Sequence, residues 1–121
     1  MLQIVFNEIS ASELSQLDTL SQLDLLDSFK VTEEDLETLD DERFGKIIRG
    51  DTCLYRFRAD DYRIYFEVQN GLVVVHRVLN KNSFSDFMFR SKLPVSEDED
   101  LSNDKTFWKL IEEGKNAKRK V

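Results

Sequence analysis

Between Leu54 and Leu79 the chain reads LYRFRADDYRIYFEVQNGLVVVHRVL, and Arg56, Arg58, Arg63 and Arg77 are the residues there with most chemical potential. A guanidinium presents a planar fork of donors that fits a phosphate or carboxylate bidentately, and it stays charged at physiological pH. A period of two puts Arg56 and Arg58 on one side of a strand, opposite Tyr55 and Phe57. It puts Arg63 opposite Tyr62, Ile64 and Phe66. The side taken by Arg77 depends on the turn at Asn70-Gly71. A three-residue turn with Gly71 in a bulge brings Arg77 to the face of Arg63, whereas a strict two-residue turn brings it to the face of Ile64. On charge alone such a face is an ordinary solvated sheet surface. Several guanidiniums gathered on it also suit a phosphate or an acidic partner.

Other chemistries have less support. A single His76 and a single Cys53 cannot build a zinc site, and as a pair they read more simply as a sheet histidine and a small buried thiol. The acidic runs at 33–42 and 97–100 lack calcium-loop spacing and read as solvated faces. GxGxxG and GxxxxGK[ST] are both absent. No metal or cofactor is expected.

The elements that must carry the arginines follow from periodicity. Tyr55–Arg58, Tyr62–Val68 and Leu72–Leu79 alternate as strands, joined at Ala59-Asp60-Asp61 and at Asn70-Gly71. They form an antiparallel meander with one apolar and one arginine-bearing face. Leu2–Phe6 is a short apolar strand. Ser10-Ala-Ser-Glu13 has capping-box spacing, and Leu14, Leu17, Leu20, Leu23, Leu26 and Phe29 recur every three residues through a helical region with a break near Asp18-Thr19. Thr32-Glu-Glu-Asp35 caps a short helix. Phe44–Arg49 fits a helix end or a strand. Ser83-x-x-Asp86 caps a helix that Pro94 stops, Glu97–Asp100 form an acidic linker, and Ser102–Arg119 form a last helix with Phe107, Trp108 and Ile111. The fold class is α+β: an N-terminal strand and two helices, then a three-stranded antiparallel meander, then C-terminal helices. The expected organisation is a core over 1–93 and, over 94–121, an acidic linker with a helical extension. That extension needs burial on its own sheet, on a partner, or on a second copy in a homodimer.

A chain of 121 residues with 40% hydrophobic residues, nine Phe, three Tyr and one Trp is long enough for one modest core. Its N-terminus has no basic lead, and no stretch reaches the roughly 18 apolar residues of a membrane helix. A soluble cytoplasmic domain with no membrane partner is expected. The net charge of −7 is uneven: residues 1–42 are acidic with Lys30 as their single cation, while 43–92 are basic in excess. Indiscriminate nucleic-acid binding is disfavoured, and a local anion site is not.

YRFRADDYRIYFEV (Tyr55–Val68), the valine-rich strand Val73–Val75, Ile48-Arg49-Gly50 before it and Asn80-Lys81-Asn82 after it resemble the core of the RelE/ParE superfamily of bacterial toxins. The resemblance implies a toxin paired with an antitoxin protein. RelE-like members act on the ribosome and cut mRNA as metal-independent endoribonucleases, so repressing translation. ParE-like members inhibit DNA gyrase instead. Carried over by position, Arg63, Arg58 and Lys81 are the implied catalytic residues. Arg49, Arg56, Arg77 and His76 are the implied phosphate-binding set. Phe84 and Phe87 stand where an acid–base group is expected, and Phe has no proton to give. That departure, with the acidic net charge, keeps open a non-catalytic binding module on the same fold.

Overall fold

The computed structural model describes residues 1–40, 42–80 and 94–120. In chain order the elements are β1 (Gln3–Phe6), α1 (Glu8–Ser15), α2 (Thr19–Ser28), α3 (Glu33–Glu37), β2 (Phe44–Arg49), β3 (Thr52–Ala59), β4 (Tyr62–Gln69), β5 (Leu72–Asn80), α4 (Pro94–Ser102) and α5 (Lys105–Asn116). The fold is α+β. Its five-stranded mixed sheet has the order β1-β5-β4-β3-β2. β2 to β5 pair antiparallel in sequence, so the expected meander is three strands of a four-stranded run. β1 adds to β5 in parallel, from Gln3↔Leu72 to Phe6↔Val75. The ambiguous Phe44–Arg49 is a strand, paired with β3 from Phe44↔Phe57 to Arg49↔Thr52.

The β4–β5 turn is the strict two-residue form: Gln69 pairs with Leu72, and Asn70 and Gly71 both have positive φ (53° and 76°). Asn and Gly tolerate that left-handed region, which matches the twist of the flanking strands. Arg77 nevertheless shares the face of Arg63, because a bulge intervenes. Phe66 pairs with Val75 and Tyr65 with Arg77, which leaves His76 as the extra residue. The bulge also lets Val75 and Val78, three residues apart, enter one core.

Both faces of the sheet are buried. On one, Phe44, Phe57, Ile64, Phe66, Val73, Val75 and Val78 pack beneath Leu14 of α1, Leu25 of α2 and the Phe29-Val31 segment. On the other, Ile47, Leu54, Tyr65 and Leu79 pack against Leu101 of α4 and Phe107, Trp108 and Ile111 of α5. The C-terminal helices therefore close the arginine-bearing face, which is not an open solvated surface.

Several local expectations need correction. α1 starts at the cap Asn7, and Ser10 is the third residue of a reciprocal capping box, not its first. Leu20, Leu23 and Leu26 are exposed (72%, 57% and 40%) while Leu25 and Phe29 are buried. A three-residue interval drifts around a helix of 3.6 residues per turn, so those leucines make no single stripe. Pro94 opens α4, a position whose N–H has no intrahelical partner to lose. Glu97–Asp100 belong to that helix and are no linker. α5 runs from Lys105, capped by Asp104, to Asn116, and residues 117–120 leave it to pair with the end of β1 through Glu8 N–Lys118 O and Lys120 N–Phe6 O. Thr32 caps α3 as its spacing implies. The helix expected from Ser83 lies outside the described residues, as does Lys81.

Candidate functional site

The register lays the arginines out in two rows on the second face. Arg58 pairs directly with Arg63 across β3 and β4, and that row continues to Leu79. The next row runs Gly45, Arg56, Tyr65, Arg77 across all four antiparallel strands. Side-by-side guanidiniums repel, and a cross-strand pair of like charge is destabilising unless an anion lies between.

The anions come from α4. Arg63 donates from Nε to Glu97 Oε1 at 2.8 Å and from Nη2 to Oε2 at 3.4 Å, and its Nη1 donates to the carbonyls of Asp60 and Tyr62. Arg56 donates from Nε and Nη2 to the two oxygens of Asp98 at 3.1 and 2.9 Å, and from Nη1 to the carbonyls of Glu42 and Arg43. Arg58 Nη1 lies 3.7 Å from Glu97 Oε2, so one carboxylate is shared by the cross-strand pair. Arg56, Arg63, Glu97 and Asp98 are all buried, whereas the Arg58 side chain keeps 23% exposure. Burial first, then the neighbouring Arg63 charge, hold the Arg58 guanidinium below its ordinary range, with Glu97 opposing.

Gly45 makes room for this arrangement. A Cβ there would collide with the Arg56 guanidinium and stand 2.7 Å from Asp98 Oδ2. Tyr65, between Arg56 and Arg77 in its row, is fully buried with its ring edge-on to Phe107 at 4.9 Å. Its hydroxyl has no hydrogen-bond partner among the described residues. Burial, reinforced by the Glu97 and Asp98 charges, pushes that phenol well above its ordinary range. It is a proton-bearing group beside the arginines that alternation alone reads as core.

The other expected site residues are engaged elsewhere. Arg77 donates to both carboxylate oxygens of Glu13 and to the carbonyl of Leu110, tying β5 to α1 and α5. His76 Nε2 lies 2.7 Å from Glu67 Oε2, beside Lys115, and is not joined to the arginine cluster. Arg49, at the end of β2, places its guanidinium over the Trp108 ring at 5.3 Å. Of the expected set, the structure unites Arg56, Arg58 and Arg63. The residues that sequence reasoning missed are Glu97 and Asp98, and nothing local to an SEDED run marks them as ligands of strands 34 and 42 positions earlier. No group of His, Cys, Asp and Glu among the described residues is arranged to hold a metal ion. No helix among them is long and apolar enough to cross a membrane.

No protein-family model matches the chain, and no curated protein matches its sequence.

What the cluster can do chemically is bind a planar, doubly acceptor anion. A carboxylate fills that role now, and a phosphate edge offers the same two oxygens.

Proposed function

We propose that this chain is a RelE/ParE-type cytoplasmic translational repressor, paired with an antitoxin, whose arginine cluster grips an RNA phosphate when α4 is lifted from it. One observation supports the reading above others: Arg58 and Arg63 stand side by side on adjacent strands and converge on one anion, Glu97. Two adjacent guanidiniums are a poor way to stabilise a sheet and an effective way to hold a phosphate. In the described conformation Glu97 and Asp98 occupy the grip. With a ribosome-bound mRNA in their place, the forks would hold the scissile phosphate and stabilise charge that develops as a 2′-hydroxyl attacks it.

The test is translation in vitro with mapping of mRNA 5′ ends. Wild-type protein is expected to lower product and create new 5′ ends. Arg58→Ala should weaken both, because Arg58 lies outside the buried pairs and can be removed with the fold intact. The isosteric Arg63→Gln/Glu97→Gln double variant, which leaves no unpaired buried charge, should do the same. Unchanged translation with no new ends, from a chain shown to be folded, would sink the proposal.

A second reading has its own observation. Arg56 and Arg63 are buried and already hydrogen-bonded, which fits a non-catalytic module in which they only hold α4. That reading expects silent translation and no growth arrest on overexpression. Loss of supercoiling activity in a gyrase assay would move the target from the ribosome to DNA gyrase.

A further inference from the structure

On the same sheet face, but beyond the buried arginines, β2 and α5 enclose a cleft of about 680 Å³. Arg49 forms the sheet-side wall, and Lys105, Lys109, Glu112 and Lys115 line the helix side, with Trp108 between. The four cations face one carboxylate in a chain whose net charge is −7. Lys115 is partly spent on Glu67 at 3.4 Å. Among the described residues no carboxylate lies in ion-pair range of Arg49, Lys105 or Lys109.

Local stability does not explain these cations. Lys105 is the first residue of α5, where a positive charge opposes the helix dipole, and no acidic residue stands in that first turn. Lys105 and Lys109 are four apart, a like-charge spacing that destabilises a helix by roughly 0.2–0.5 kcal/mol. Both are exposed. Arg49 is held in place without being neutralised: the Trp108 ring lies beneath its guanidinium, and the indole N–H is fixed by the Ser102 carbonyl at 2.9 Å. The donor fork is thus pre-positioned and its charge left available.

We propose that this cleft binds the phosphate backbone of a single-stranded nucleic acid. Lys105 and Lys109 are one helical turn apart, about 6 Å along the axis, comparable with the step between successive phosphates of a single strand. Arg49 meets the strand from the opposite wall. A concave cleft with charges on both walls admits a single strand, whereas the convex surface of a duplex cannot bring its phosphates to both at once. The site uses none of Arg56, Arg58 and Arg63, so it stands or falls apart from the translational reading.

The experiment is fluorescence anisotropy of the full chain with 5′-labelled twelve-residue oligouridylate and oligothymidylate at two salt concentrations. The single Trp108 provides an internal reporter of cleft occupancy. Lys105→Glu/Lys109→Glu should lose affinity at least tenfold, and the slope of log affinity against log salt should become shallower by about one, since each single-strand phosphate contact contributes roughly 0.7. Arg49→Ala should weaken binding and shift Trp108 emission while the far-UV circular dichroism is unchanged. Tighter binding of oligouridylate assigns the site to RNA, and equal affinities assign it to single strands generally. The proposal is overturned if neither oligonucleotide binds. It is equally overturned if charge reversal leaves affinity unchanged, if duplex DNA binds as tightly, or if an oligoglutamate peptide binds in preference to both strands.

Discussion

A guanidinium fully removed from water is tolerable only while its carboxylate stays with it. Arg56 and Asp98 make such a pair, both buried and bonded through two contacts. Their net worth against a well-packed apolar pair is small, but removal of one partner strands a buried charge at about 3–5 kcal/mol. Asp98→Ala is therefore expected to lower the urea midpoint steeply, whereas Arg56→Met/Asp98→Leu should recover most of the loss. Equal destabilisation by the single and double variants would mean that the pair is not the unit that matters. His76 carries a second residue-scale prediction. Burial lowers its pKa from the ordinary 6.5 and the Lys115 charge assists, while the hydrogen bond and charge of Glu67 oppose. The unfolded chain then holds more protons between that lowered value and 6.5, so stability falls as pH drops through 6.5 and levels off below the folded pKa. His76 is the chain's one imidazole, so an NMR titration reads it directly. A midpoint below 6.5 is expected, and one above it would show that the Glu67 charge outweighs burial. At this scale the arginines were legible, because strand alternation fixes which side each takes. Their partners were not, since the pairing depends on where α4 returns in space.

Helices were harder to read than strands because their period is not an integer. The leucines of 14–26 look like one stripe at intervals of three, yet α2 turns Leu20 and Leu23 outward and Leu25 inward. Leu25→Ala is expected to cost about 2–5 kcal/mol in chemical denaturation, as for other buried leucines. Leu20→Ser and Leu23→Ser should each stay within about 0.5 kcal/mol of the parent, as exposed substitutions do. A Leu20→Ser cost as large as that of Leu25→Ala would show that something covers this face in solution. The strands gave up their register more readily, because Asn70-Gly71 permits the two-residue turn by its chemistry alone. The His76 bulge has no comparable signature. It became visible only once Val75 and Val78 were both found in the same core, and it is the reason Arg77 lies with Arg63 despite the tight turn.

At the scale of the molecule, the distribution of charge is an arrangement in space as much as a sequence bias. The basic middle of the chain lies beneath the acidic α4, so part of the local excess of each is neutralised inside the fold. The sheet is thereby a central layer with a core on either side, and α4 and α5 supply half of one core. The segment 94–121 was legible as needing burial, from Phe107, Trp108 and Ile111. Its destination was not, because an apolar helix face carries no address. The approach of α5 to β5 is close enough that a Cβ on Gly114 would collide with the His76 carbonyl, and the Asn7 side chain bonds the carbonyls of Val75, His76 and Gly114 together. A chain ending at residue 93 is therefore not expected to fold. It would expose Ile47, Leu54, Tyr65 and Leu79 to water and remove the carboxylates from Arg56 and Arg63 in one step. Far-UV circular dichroism should show loss of ordered structure or a state that binds anilinonaphthalene sulfonate, and adding the 94–121 peptide in trans should reduce that binding. A truncated chain with native near-UV signals and a cooperative transition would mean that the sheet stands on its first core alone. In that case α4 would be a cover that can leave its arginines at small cost, which is the property the phosphate grip requires.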